Sequence, residues 1–291
     1  MAPGTPHTPL FAQHSRRWEQ NRYVYPVISR RSKGLSVGIN LNTDRICNFD
    51  CVYCCVDRTK GVSRPEIIDL AVLERELSMM LEIVASGEIW QTPPFDQTPA
   101  ELRRFADIAF SGDGEPTSSP VFGDACRLTA ELRARFKADQ TRIVVISNAT
   151  LLNRPGVREA LAFLDNHNGE VWAKLDAGND RVYRQMVRSS IPFQQVLDGI
   201  LSLGKERPIV IQSMFLNYHD LSPSQGDIHD YIERLVDLKT AGAKIRLVQV
   251  YTIARPVFQT HIAPASDATL DAITASIHDA GLPAEAYYAA T

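Results

Sequence analysis

The sequence predicts an α/β fold in which a parallel sheet is built from strand–helix units. Two observations carry this prediction: short runs rich in β-branched residues alternate with longer amphipathic stretches, and six such pairs follow residue 35. Parallel neighbours need a crossover connection, and a helix supplies it while covering one face of the sheet. Six units fit either an open doubly wound sheet or a partial barrel.

The strands are predicted where short apolar runs end in polar or glycine-rich turns. The runs LSVGINL, DIAFS, RIVVISN, EVWAKLD, PIVIQSMF and KIRLVQVY predict strands at 35–41, 107–111, 142–148, 170–176, 208–215 and 244–251. Amphipathic periodicity predicts helices between and after them, at about 66–87, 121–137, 156–166, 193–206, 227–242 and 267–281. In both architectures the loops that follow the strands meet at the carboxyl edge of the sheet, so we expect the chemistry there.

The chain is expected to form one main domain with flanking segments. Residues 35–291 make up the strand–helix domain, which includes an inserted segment with three prolines at 87–104 and a C-terminal helix and closing strand at 260–291. Residues 1–34 form a basic N-terminal extension, with six basic side chains against Glu19 alone. The formal net charge of the whole chain is −3, so the molecule has no overall field for gripping nucleic acid.

The cysteine usage and the absence of long apolar segments indicate a cytoplasmic protein. No stretch of the sequence has the length and apolarity of a signal peptide or a membrane span. The five cysteines are an odd number, and four of them lie within residues 47–55. This crowding suits metal or redox chemistry better than a secreted disulfide framework. Because the sequence lacks long apolar segments, we expect no membrane partner.

Cys47, Cys51 and Cys54 follow the first predicted strand with the spacing C-x3-C-x2-C. Three thiolates on one loop can hold three irons of a [4Fe–4S] cluster and leave the fourth iron open. The alternative is a structural zinc site that also uses Cys55, although zinc sites usually take their ligands from two separated pairs. Cys55 is therefore left out of the ligand set, and Cys126, within a predicted helix, is expected in the core.

This cysteine spacing, with Tyr53 directly before the last cysteine, resembles the signature of the radical S-adenosylmethionine (radical SAM) superfamily. The resemblance implies a partial (β/α)6 barrel, the radical SAM core, in which the fourth iron of the cluster binds S-adenosylmethionine (SAM). It also implies that the reduced cluster cleaves SAM to methionine and a 5′-deoxyadenosyl radical, which takes a hydrogen atom from the substrate. A reductant such as flavodoxin or ferredoxin is then the expected partner.

Candidate SAM ligands follow the other strands. The segment Gly112, Asp113, Gly114 and Glu115 resembles the superfamily's GGE segment, with Asp113 in place of its first glycine. The resemblance implies that this segment binds the amino group of SAM, and glycines allow a close backbone approach and positive φ. The other candidates are Tyr53 and the polar residues near the ends of the later strands: Ser147, Asn148, Lys174, Asp176, Gln212 and Gln249.

Lys174 and Asp176 lie two positions apart and therefore on the same face of their predicted strand. A cation and an anion in this arrangement can pair with each other, or they can bind the ammonium and carboxylate groups of a zwitterion. Both interpretations stay open at the level of the sequence.

The runs FSGDGEPT, WAKLDAGND and GLPAEAYY resemble the wyosine-base tRNA synthases within the superfamily. That group rebuilds a guanine base of tRNA with pyruvate and a second iron–sulfur cluster. Residues 1–46 contain no cysteine, so the ligands of the second cluster are missing here. The resemblance therefore implies a shared barrel and does not by itself imply the pyruvate-condensing reaction.

Three functional hypotheses follow. The first is a radical SAM enzyme acting on an RNA base, as in tRNA modification, because Tyr23 and Tyr25 lie among arginines, and cations bind phosphates while aromatic rings stack on unpaired bases. The second is a radical SAM enzyme acting on a peptide or small metabolite, with residues 1–34 as a solvated arm. The third is a non-catalytic Fe–S electron carrier or sensor, a class that normally completes its cluster with a fourth thiolate.

Overall fold

The computed structural model describes residues 18–58, 66–219, 222–257, 259 and 261–289, so Arg16 and Arg17 of the basic segment lie outside the described residues. The strands in chain order are β1 (Val24–Ser29), β2 (Gly34–Ile39), β3 (Phe105–Phe110), β4 (Arg142–Ser147), β5 (Gly169–Lys174), β6 (Ile209–Met214), β7 (Leu216–Tyr218), β8 (Ile245–Tyr251), β9 (Ile262–Pro264) and β10 (Ala284–Tyr287). Eight of them form one sheet in the order β1-β2-β3-β4-β5-β6-β8-β10. The short strands β7 and β9 pair with each other.

The helices in chain order are α1 (Leu70–Ser86), α2 (Phe122–Arg135), α3 (Pro155–Asp165), α4 (Asp180–Val187), α5 (Phe193–Glu206), α6 (Gln225–Thr240) and α7 (Asp267–Asp279). Short 3-10 helices occupy much of the segment 87–104. The start of α1 is capped by Asp69, whose carboxylate accepts from the backbone N–H groups of Ala71 and Val72. No helix within the described ranges has the length and apolarity needed to cross a membrane.

The predicted parallel sheet is confirmed, because β2 to β6, β8 and β10 pair in parallel. The sequence predicts no strand before residue 35, and this is wrong: β1 forms an antiparallel hairpin with β2, in which Val24 pairs with Ile39 and Ser29 with Gly34. Pro26 interrupts the apolar run of β1 and lacks an N–H donor, which a strand tolerates when it lies at the edge of a sheet.

The two edges of the sheet approach each other, so the sheet curls into the expected partial barrel. Lys33, in the turn between β1 and β2, forms an ion pair with Glu285 on the opposite edge strand β10. The guanidinium of Arg30 in the same turn donates to the carbonyl oxygen of Thr252, directly after β8, over 3.3 Å.

Alternating side chains of the strands fill two layers. One set packs in the main core with the helices, as Ile108, Ile143, Val171 and Ile211 do. Residues adjacent to these in the strands point to the other face, and there Trp172 packs with Ala109, Val144 and Val210 inside the barrel. The barrel interior is therefore packed in its middle layer, and polar side chains are left at its ends.

Candidate active site

A cavity of about 280 Å³ lies inside the partial barrel, next to the cysteine loop. Cys47, Cys51 and Cys54 border it. So do the following candidate SAM ligands from the sequence: Tyr53, Gly112, Gly114, Glu115, Asn148, Lys174 and Gln212. The other candidates lie outside the lining of this cavity: Asp113, Ser147, Asp176 and Gln249. The fold thus gathers residues from five neighbouring strands and the loops that follow them around one space.

The three cysteines are half-buried and free of disulfides. Burial is the main cause that raises the pKa of Cys47 and raises that of Cys51 to about 12. As they stand, no three His, Cys, Asp or Glu side chains of the described residues are grouped to hold a metal ion. The fit to an iron–sulfur cluster rests on the donor set, because three cysteines of one loop border the same cavity.

Helix α4, which the sequence does not predict, anchors the cysteine loop. The backbone N–H of Asp50 donates to the carbonyl oxygen of Val187 over 3.0 Å, and that of Val52 donates to Met186 over 2.9 Å. The ring of Phe49 meets the ring of Tyr183 edge-on, with 6.0 Å between their centroids. These contacts hold the loop at two points between its cysteines.

Arg58 joins the cysteine loop to the glycine-rich loop and was missed at the level of the sequence. Its Nη2 donates to the carbonyl oxygen of Asp113 over 2.8 Å and lies 3.6 Å from the Sγ of Cys54. Its Nη1 donates to the carbonyl oxygen of Arg45. The signal available in the sequence was a cation four residues after the last cysteine of the motif.

The glycines of the segment after β3 are required by close packing. A Cβ at Gly112 would lie 2.3 Å from the side-chain oxygen of Asn40, and one at Gly114 would lie 2.2 Å from the carbonyl oxygen of Ile46, next to Cys47. The expectation of positive φ at these glycines is wrong, since neither is among the positive-φ residues. Their role is to let the glycine-rich loop touch the cysteine loop.

The Glu115 carboxylate is bound by the protein itself. It is 2 % exposed and accepts hydrogen bonds from the Ser147 hydroxyl over 2.8 Å and the Asn148 N–H over 2.6 Å. The hydroxyl and N–H of Thr117 donate to it as well. Burial raises the pKa of Glu115, whereas these hydrogen bonds act to lower it. The carboxylate therefore ties the end of β3 to the end of β4.

Lys174 and Asp176 pair with each other. The Lys174 ammonium lies 3.2 Å from an Asp176 carboxylate oxygen and donates to the Tyr251 hydroxyl over 2.7 Å. The Tyr53 hydroxyl and the Met214 N–H both donate to Asp176. Burial acts to lower the pKa of Lys174, but the Asp176 charge and Tyr251 raise it, and the result lies above its ordinary value. Lys174 is therefore a fully compensated cation.

Gln212 has an acceptor that no described residue satisfies. Its side-chain N–H2 donates to the Gln249 side-chain oxygen over 2.7 Å, which fixes the orientation of the amide. Its own side-chain oxygen is buried and lacks a hydrogen-bond partner within the described part of the chain. Because Gln212 borders the cavity, this oxygen is available to a donor group of a bound molecule.

The tyrosines of the basic segment are buried, so their expected role in stacking on unpaired bases is wrong. Tyr23 is 1 % exposed and Tyr25 is 4 % exposed. Tyr25 lies in β1, and Tyr23 directly precedes this strand. The Tyr25 hydroxyl donates to the carbonyl oxygen of Ser111. Arg30 and Arg31 of the same segment border the cavity.

Comparisons with known proteins agree with this geometry. The model of the radical SAM superfamily matches residues 41–223. A UPF0026 protein of Helicobacter pylori is 25 % identical over 225 residues, which are 74 % of this chain and 64 % of the relative. The chain thus spans less than two thirds of the length of that relative.

Two solved structures share the fold. A radical SAM methyltransferase from Sphaerobacter thermophilus has a TM-score of 0.62 and 12 % identity, over 91 % of this chain and 69 % of that one. A structure of TYW1 with a lysine–pyruvate adduct bound has a TM-score of 0.52 and 14 % identity, over 85 % of this chain and 74 % of that one. The superfamily match covers more than half of the residues and includes all three motif cysteines, and the chain therefore belongs to the radical SAM superfamily.

Proposed function

We propose that this protein is a radical SAM enzyme that holds a [4Fe–4S] cluster through Cys47, Cys51 and Cys54 and binds SAM in the adjoining cavity. The observation that carries the proposal is that these cysteines border the same cavity as the polar ends of the neighbouring strands. When bound and reduced, the cluster supplies the electron that cleaves the sulfonium of SAM to a radical that removes a hydrogen atom from the substrate. A flavodoxin or ferredoxin is the reductant we expect.

The chain's own residues divide into those that face the bound molecules and those that position them. Gly112, Gly114 and Gln212 border the cavity and are proposed to contact SAM or substrate directly. Tyr53, Lys174, Glu115 and Asn148 also border it, but their polar groups are held by other side chains. The candidates outside the lining act as positioning residues: Asp113, Ser147, Asp176 and Gln249.

Arg58 is proposed to hold the cysteine loop against the glycine-rich loop. Its guanidinium lies beside the Cys54 Sγ while its other hydrogen bonds go to backbone carbonyl oxygens of both loops. These fixed partners keep the guanidinium in place at the cavity.

A small molecule inside the cavity suits the site better than an RNA base held by the basic segment. Tyr23 and Tyr25 are buried and have no free face for a base. Lys33 is paired with Glu285, and Arg30 and Arg31 border the cavity instead of presenting an outer basic surface. The first substrate hypothesis thereby loses the observations on which it stood.

The lysine–pyruvate adduct of the TYW1 structure is not extended to this chain. An adduct with a carbonyl compound needs a neutral amine as nucleophile. Lys174 borders the cavity, and its ion pair with Asp176 and hydrogen bond to Tyr251 favour the charged ammonium.

The proposal is tested by SAM cleavage in anaerobically reconstituted protein with dithionite as reductant. The wild type is expected to form 5′-deoxyadenosine, and Cys51→Ala is expected to lose both this product and iron. Cys55→Ala is the matched control, because Cys55 borders the same cavity but lies outside the motif, and it is expected to retain both. Wild-type turnover in Cys51→Ala would refute the ligand assignment.

A further inference from the structure

Arginines from two distant parts of the chain border the cavity together. Arg30 and Arg31 lie in the turn between β1 and β2, and Arg255 follows β8. The curl of the sheet brings these two segments together, since the Arg30 guanidinium donates to the carbonyl oxygen of Thr252. The proposed cluster and SAM site uses none of these arginines.

Arg30 and Arg31 have no counter-ion among the described residues. Nη1 of Arg30 is buried and has no hydrogen-bond partner there, while Nη2 has the single carbonyl contact to Thr252. The Arg31 guanidinium lies over two aromatic rings, 4.8 Å from the centroid of Tyr251 and 5.7 Å from that of Trp172. Aromatic faces and a carbonyl dipole fix the two side chains but leave their charges uncompensated.

Burial and neighbouring like charges both disfavour the charged form of Arg30. Burial first, and then the neighbouring charges of Arg31 and Arg255, lower the pKa of Arg30 to about 10. Asp107 borders the cavity too, but its carboxylate accepts from the Ser36 hydroxyl and lies 3.7 Å from Arg142. The cation that pairs with Asp107 is thus Arg142 and not Arg30 or Arg31, and a bound anion would offset the repulsion that acts on Arg30.

Several other cations around the barrel pair with carboxylates, unlike Arg30 and Arg31. Arg142 and Arg246 both contact the Glu170 carboxylate. Lys33 pairs with Glu285. A buried cation without a carboxylate partner is costly unless a ligand supplies the negative charge.

We propose, building on the proposed function above, that Arg30 and Arg31 bind the carboxylate or phosphate group of a small substrate. The planar guanidinium donates two parallel hydrogen bonds to either oxyanion. The aromatic faces of Tyr251 and Trp172 hold Arg31 in position. The substrate class is therefore a small organic anion whose charged group is fixed at the arginines.

The test measures oxyanion binding to the reconstituted protein by calorimetry, with saturating SAM and constant ionic strength set by chloride. The probes are inorganic phosphate and acetate, and the tighter of the two identifies the chemistry of the natural group. Arg30→Gln and Arg31→Gln are each expected to raise the Kd about tenfold, the effect of losing one charge-assisted hydrogen bond. Arg22→Gln is the matched control, because Arg22 pairs with Glu66 outside the cavity lining, and its Kd is expected to equal that of the wild type.

Three outcomes would overturn the inference: no binding of either anion to the wild type, equal affinity in both cavity variants and the control, or weaker SAM binding with unchanged phosphate affinity. The last outcome would assign the arginines to SAM. Iron content and circular dichroism identify a variant that fails to fold. A wild type that binds phosphate but forms no 5′-deoxyadenosine refutes the proposed function alone, whereas one that forms it without binding either anion refutes the anion site alone.

Discussion

Lys174 and Arg30 are cations that border the same cavity, but their partners differ. Lys174 has a carboxylate at 3.2 Å and a tyrosine hydroxyl at 2.7 Å. Arg30 has one carbonyl oxygen at 3.3 Å and like charges as neighbours. A cation that is paired with a carboxylate of its own chain stabilises the fold, whereas a cation without such a partner at a cavity is available to a ligand.

The largest effect is expected when the paired cation loses its partner. Asp176→Asn leaves the Lys174 ammonium buried beside a neutral amide, and removing one member of a buried pair is expected to lower the free energy of unfolding by about 3 kcal/mol. Urea denaturation measures this change. The double variant Lys174→Met with Asp176→Asn is expected to recover most of the loss, because no uncompensated charge remains.

Ordinary surface substitutions change the free energy of unfolding by up to about 0.5 kcal/mol. A change in that range for Asp176→Asn would contradict the structural role assigned to the Lys174–Asp176 pair. It would mean that water or a rearranged side chain compensates Lys174. The Met214 N–H can still donate to the side-chain oxygen of the introduced Asn. The substitution therefore removes the negative charge while this backbone hydrogen bond is kept.

The smallest effect is expected at the unpaired cation. Arg30→Met keeps the length of the side chain and removes a charge that has no counter-ion, so the free energy of unfolding is expected to stay within about 1 kcal/mol of the wild type, on the more stable side. The same urea titration measures it, in protein without added phosphate. If Arg30→Met lowered the free energy of unfolding as much as Asp176→Asn, Arg30 would be a structural cation like Lys174.

The buried parallel strands are the part of the fold that sequence patterns predict well. Each is a short run of apolar residues followed by a turn, as in the stretches that became β4 and β6. Strand β1 was not predicted because Pro26 interrupts its apolar pattern. The proline is tolerated because β1 lies at the edge of the sheet. The eight-residue helix α4 is too short to give a clear period, although it anchors the cysteine loop.

In the candidate site, too, local patterns could be predicted from the sequence, whereas contacts between distant segments could not. The cysteine motif is local, so its spacing alone predicts a shared metal-binding role for its residues. The partners of Glu115 come from the end of another strand, and no pattern in the sequence states that its carboxylate is already occupied. The direction in which Arg30 points depends on how the sheet curls. Counting the charges of residues 1–34 gives no information about that curl.

The central claim is that the three motif cysteines leave one iron of the cluster open to SAM. Electron paramagnetic resonance of the dithionite-reduced, anaerobically reconstituted protein tests it most directly. A cluster signal that changes when SAM is added is the predicted result, and the third hypothesis, an electron carrier, predicts no change. A spectrum that is identical with and without SAM, or wild-type protein that contains zinc in place of iron, would contradict the account.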